Sequence, residues 1–119
     1  MRDTLFAMAL MLCLNLAQAQ ETTAAQLAKE CSSDPSTAKT AEELVGLFRC
    51  IGYVSGVLDT HAVMVGVYRS QKAFCAPADG VSHESAILAL LQWLNRKPTR
   101  GDMSARSAVL LALRERFPC

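Results

Sequence analysis

Residues 41–67 read AEELVGLFRCIGYVSGVLDTHAVMVGV, an apolar segment with no proline. Within it Leu44, Leu47, Phe48, Ile51, Ser55, Leu58, Ala62 and Val65 recur at steps of three and four, which predicts one apolar stripe on a long helix. Thr40 stands where an N-cap is wanted, and Glu42 and Glu43 suit the positive end of the helix dipole. The run from Val63 to Val67 is rich in β-branched residues, but a lone strand there would have no partner in the chain.

Working outward, a shorter helix is expected from about Thr22 to Glu30, broken by Ser32-Ser33-Asp34-Pro35-Ser36, since proline disfavours helix at the residue before it. Beyond the long helix, a loop from Arg69 to Gly80 carries Cys75-Ala76-Pro77. A third helix, about Ser82 to Asn95, is capped by Ser82, faces the core with Ile87, Leu90, Leu91 and Leu94, and ends at Lys97-Pro98. A fourth, about Asp102 to Arg116, has Asp102 as its cap and Val109, Leu110, Leu113 and Phe117 as its stripe. Short joins favour antiparallel neighbours. The expected fold is therefore all-α, a small bundle of about four helices around the long one.

The front of the chain reads differently. Met1-Arg2-Asp3 is followed by an apolar run from Leu5 to Leu16 and by Ala17-Gln18-Ala19. These are the parts of a secretory signal peptide cleaved after Ala19, and the run is shorter than the ~20 residues a membrane span needs. Residues 1–19 are thus read as the signal and 20–119 as one exported domain.

Export bears on the five cysteines. Loss of Cys13 with the signal leaves Cys31, Cys50, Cys75 and Cys119, an even set that reads as two disulfides in an oxidising compartment. No two are spaced C-x-x-C, which argues against a zinc, thioredoxin-like or c-type haem site. Four cysteines allow three pairings. The antiparallel packing favours Cys31–Cys50 and Cys75–Cys119.

Charge gives little direction. Twelve Lys and Arg balance eleven Asp and Glu, for a net charge of +1, and no basic stripe is visible. Neither nucleic acid nor, after cleavage, a membrane is expected as a partner.

Gly52 and Gly56 lie mid-helix, where each costs about 1 kcal/mol relative to alanine; close approach of a neighbouring helix is the favoured explanation. Asp59, one turn after Ser55, is expected to pair with Arg49, Tyr53 or a residue of another helix. His61 and His83 have no ligands at metal spacing, so no metal and no cofactor are expected. Trp93 suits core packing or an interface equally well. Arg100-Gly101-Asp102 reads as a turn plus an N-cap. Neither serine nor cysteine stands in a nucleophile motif, and no enzyme is expected.

The stretch from Cys50 through Gly52, Tyr53, Gly56 and Asp59, then Phe74-Cys75-Ala76-Pro77, then the ending Phe117-Pro118-Cys119, resembles the Rap/Tai family of resistance-associated, type VI secretion immunity proteins. The likeness covers nearly all of residues 20–119, including the upstream Cys31. It departs at the join Arg96 to Gly101, where the family often has a His-Pro-Glu type of turn. The resemblance implies an all-helical protein in the periplasm of a Gram-negative bacterium. It also implies binding to a secreted peptidoglycan-degrading toxin, of amidase type, whose active-site cleft it occludes without catalysis. The loops around Phe74 and Asp79, and around Arg100, are the candidate contacts, and association of the chain with itself stays open. The rival reading is a periplasmic chaperone-like helical protein of stress responses with no cognate toxin.

Overall fold

The computed structural model describes residues 21–119. The signal-peptide reading falls on residues outside these. Among the described residues the chain forms α1 (Ala24–Cys31), α2 (Ala41–Gly66), α3 (His83–Arg96), a 3₁₀ turn (Pro98–Asp102) and α4 (Ala105–Arg116). The fold is all-α.

Every helix starts on a hydroxyl cap. Thr23 accepts from the Gln26 N–H while the Gln26 side chain accepts from the Thr23 N–H, and Thr40 and Glu43 form the same reciprocal box on α2. Such boxes satisfy two of the N–H groups that a helix start leaves unpaired. Glu43 also accepts from the Lys39 N–H at 2.6 Å. These backbone donors, Lys39 first and then Thr40, hold the Glu43 carboxyl below its ordinary range. Ser82 caps α3. The cap of α4 is Ser104, not Asp102. Pro98 starts a separate 3₁₀ turn that takes up Asp102, so α4 begins only at Ala105, directly after its cap Ser104.

The bundle is strapped at both ends. Ala24 N–H donates to the Met103 carbonyl and Ala105 N–H to the Thr22 carbonyl, each at 2.8 Å, tying the start of α1 to the start of α4. Cys31–Cys50 joins the end of α1 to α2, with the Cα atoms 5.1 Å apart. Cys75–Cys119 joins the α2–α3 connection to the chain end, with Cα atoms 5.0 Å apart. Cys75 N–H also donates to the Phe117 carbonyl at 2.9 Å.

The core lies between α1, α3 and α4 and one face of α2. Leu27, Val54, Phe74, Leu90, Val109 and Leu113 are its large, fully buried side chains. Ala86, Ala89, Ala105, Ala108 and Ala112 are buried with them, so α3 and α4 carry small side chains where they pack. Trp93 is a core residue at 5% exposure.

The face of α2 that turns inward differs from the expected stripe. Leu47, Cys50 and Val54 are its buried residues, whereas Leu44 is 37% and Phe48 68% exposed. The helix is apolar nearly all round, so hydropathy alone does not choose a face. The bridge to Cys31 chooses it, because Cys50 must point at α1 and its neighbours one turn away follow.

The glycine expectation also changes. A Cβ built at Gly52 or Gly56 would meet nothing within 4 Å. Close approach occurs instead at Gly101, where a Cβ would sit 3.1 Å from the Ala25 methyl. That methyl has no rotamer to escape into. Gly101→Ala is therefore expected to cost about 1–3 kcal/mol by overpacking, read as a lower urea midpoint.

Candidate partner-binding surface

Two histidines pin the connection between α2 and α3. The Ala73 N–H donates to His61 Nε2 at 3.2 Å, and the His61 ring stacks on Phe74 with centroids 4.0 Å apart and planes 17° from parallel. His83, the first residue of α3, hydrogen-bonds Ser55 Oγ through Nε2 at 2.9 Å. The connection is thereby held along the last third of α2, with Phe74 at 2% exposure. Phe74 is thus a core residue and not the partner contact expected of it; the loop folds inward there because the imidazole and the Cys75–Cys119 bridge hold it.

Burial, and then the nearby Lys72 ammonium, push the His61 pKa below the ordinary imidazole value. An imidazole that accepts a backbone N–H at Nε2 must be neutral there. The native state therefore binds fewer protons than the unfolded chain below about pH 6.5. The contribution of His61 is fully present above that pH and declines as the pH falls toward its lowered native value. His61→Phe keeps a ring for the stack and removes the proton. Its stability is expected to fall less than that of the parent between pH 7 and 5, as measured by urea unfolding at each pH.

Ser55 and His83 are a hydroxyl beside an imidazole, but not a nucleophilic dyad. Among the described residues no carboxylate orients the far ring nitrogen, and Ser55 sits inside a helix whose N–H groups are committed to helix bonds. An acyl-transfer site needs both an orienting acid and free donors for an oxyanion. Nor do the described residues hold a group of three His, Cys, Asp or Glu that could hold a metal ion.

The other singled-out residues lie apart. Asp59, Gly52 and Gly56 face solvent on α2, with Tyr53 half-buried beside them. Asp59 forms no ion pair among the described residues. The Arg49 guanidinium, one candidate for it, bridges to Glu30 at 3.0 Å instead. Pro77, Asp79 and Pro118 are exposed, and Phe117 packs partly against the core. Arg100 is committed inward: its guanidinium lies 4.0 Å from the Trp93 ring centroid and donates to the Trp93 carbonyl at 3.0 Å. Such a cation–π contact fixes the side chain rather than presenting it.

What the surface does present is apolar. Leu44, Val45, Phe48, Val63 and Met64 on α2, with Val67 and Tyr68 directly after it, are all more than a third exposed. Val67 and Tyr68 reach 70% and 69%. They stand at a tip where the chain turns: Arg69 adopts a left-handed conformation (φ 57°), and the Ser70 N–H donates back to the Met64 carbonyl at 3.0 Å. This αL closure usually employs glycine. Leu44 and Phe48, expected on the core stripe, belong to this surface instead. The pair Cys31 and Cys50, once bridged, was the signal that would have turned the helix the right way.

By contrast, the ion pairs Arg96–Glu115 and Arg106–Glu21 are exposed at both partners. Pairs of that kind contribute little. A cleft of about 240 Å³ between the end of α1 and the start of α2, lined by Lys29, Ser33, Asp34 and Glu43 among others, is polar and open. No helix of the described residues is long and apolar enough to cross a membrane.

No curated protein is similar enough to this chain to match it. A family model does match, over residues 23–119, from the cap of α1 to the last cysteine. That span takes in the four α-helices of the described residues, both bridges and the apolar tip, and the chain belongs to the family of Rap1a immunity proteins.

Proposed function

We propose that this protein is an exported, periplasmic immunity protein of a Gram-negative bacterium. It binds a secreted type VI toxin that degrades peptidoglycan, an enzyme of amidase type, and stops it by filling its active-site cleft. It performs no catalysis of its own and needs no cofactor. Family membership supports the immunity role. The observation that carries the mode of action is the tip formed by Met64, Val67 and Tyr68, three exposed side chains at and just after the end of α2. A convex apolar knob suits insertion into another protein's cleft, whereas a small-molecule site is concave. Tyrosine anchors of this sort carry much of the energy of protein interfaces. Asp79, exposed further along the same connection, offers a polar contact.

The test is calorimetric titration of the oxidised protein with a peptidoglycan amidase secreted by a type VI system of the same bacterium. Tyr68→Ala is expected to weaken binding by about 2 kcal/mol, roughly thirtyfold. Unchanged affinity in that variant would remove the tip from the interface. Heterogeneous binding of unfolded clients in place of one hydrolase would return the chaperone-like reading.

A further inference from the structure

The two bridges close two separate loops. Cys31–Cys50 lies wholly within the first half of the chain and Cys75–Cys119 wholly within the second. Only the backbone of residues 51–74 joins these loops covalently, and the lysine and arginine residues of that stretch are Arg69 and Lys72. Both are exposed, just beyond the end of α2. Arg69 carries the left-handed φ of 57°, which a residue with a Cβ adopts only at a cost. Among the described residues, one backbone hydrogen bond, Ser70 N–H to the Met64 carbonyl, holds residues 68–72. Breaking it releases the strained residue. This turn therefore opens more readily than α2 before it or the Ala73 N–H on His61 after it.

We propose that the Arg69–Ser70 peptide bond is a proteolytic switch, cut by an arginine-directed endoprotease of trypsin type. Hydrolysis adds one water across that bond, leaving a carboxylate on Arg69 and an amine on Ser70. Exposed loop tips are where such enzymes nick folded proteins, because the chain must open into an extended strand to enter their cleft. The other cations outside the α-helices of the described residues are poorer targets. Lys39 and Thr40 give their N–H groups to the Glu43 carboxylate. Lys97 precedes Pro98, which trypsin-like enzymes reject, and Arg100 precedes the buried Gly101 and lies on Trp93. A cut at any of these three also falls inside a bridged loop, so the pieces stay joined. A cut at Arg69 leaves two halves, each with its own bridge and no bond between them.

Afterwards only noncovalent contacts keep the halves together. These are the shared core, His83 on Ser55, and the straps from Ala24 to Met103 and from Ala105 to Thr22. Folding that was intramolecular becomes an association of two chains, which costs translational and rotational freedom that the connection had already removed. One cut thus makes the integrity of the domain depend on its concentration and turns Tyr68 into part of a loose chain end. Neither bridge has to be reduced.

The test is limited digestion of the oxidised protein with trypsin. It contains no toxin, so this inference and the proposed toxin contact can fail separately. The expected first products are two fragments, one ending at Arg69 and one beginning at Ser70, that separate on a denaturing gel without reductant. Arg69→Gln is expected to slow the first cut at least about tenfold, with the residual cut falling at Lys72. The cut protein is expected to elute with its halves together when concentrated and apart when diluted. A first cut elsewhere, or fragments that separate only after reduction, would overturn the proposal. So would an Arg69→Gln chain cut as fast as the parent, or cut halves that stay together at every dilution.

Discussion

Reduction of both disulfides is expected to leave the chain largely unfolded. The bridges close separations of 19 and 44 residues. On the loop-entropy model these correspond to about 3 and 4 kcal/mol. Together that is about 7 kcal/mol, set against a total of roughly 5–15 kcal/mol for a domain of this class. The two bonds differ in where their loss is felt. Cys31 and Cys50 are buried at 6% and 0% exposure, so replacing that pair by alanine also removes two sulfur atoms from the core. Cys119 is exposed at the end of the chain, and its release lets Phe117 to Cys119 fray within a still-folded bundle. Far-UV circular dichroism with and without reductant checks the first expectation. Retention of the full helical signal in the reduced chain would show that the core alone suffices.

Phe74→Ala is expected to cost about 3–5 kcal/mol, while Phe48→Ala costs under about 1 kcal/mol at concentrations where the chain is dilute. The two phenylalanines are at opposite extremes, with 2% and 68% of their surface exposed. Truncating Phe74 opens a cavity under the α2–α3 connection and removes the ring on which His61 stacks. Phe48 has nothing of its own chain to lose. Urea unfolding of both variants measures the difference directly. Equal losses would mean that α2 turns its expected stripe inward after all.

That contrast marks how far the sequence could be read. The hydroxyl caps Thr40 and Ser82 were legible because capping is local chemistry, decided within four residues. Leu90, Leu94, Val109 and Leu113 were legible because they repeat at four-residue steps, the spacing of one helix face. The even cysteine set was enough to expect two bridges and a stapled bundle. The face of α2 was not legible from periodicity, because valine, leucine, phenylalanine and isoleucine occur on all sides of it. Its inward face is set by a covalent bond to α1, which is a tertiary fact. Asp102 has the right residue type for a cap, but it ends the 3₁₀ turn that Pro98 starts, and Ser104 two positions on takes the cap. For the surface, the family motif was the useful guide, but it did not locate the contacts. Gly52, Gly56 and Asp59 read as internal packing and pairing in one chain, and they lie instead on an open face. Phe74 read as a contact because it is aromatic and sits in a loop. The imidazole of His61 and the neighbouring bridge draw it inward.

The tip ends a helix too apolar for the core it serves, with its surplus directed outward at Val45, Phe48, Val63, Val67 and Tyr68. Exposed apolar surface of this kind marks interaction sites, as the binding of a toxin by an immunity protein requires.

The most direct test is to titrate the oxidised protein into a type VI-secreted peptidoglycan amidase of the same bacterium while following peptidoglycan cleavage. The account predicts that cleavage falls in proportion to added protein and stops when every enzyme molecule has met one tip, with Tyr68→Ala shifting the curve to higher concentrations. Cleavage that continues undiminished in excess protein would contradict it.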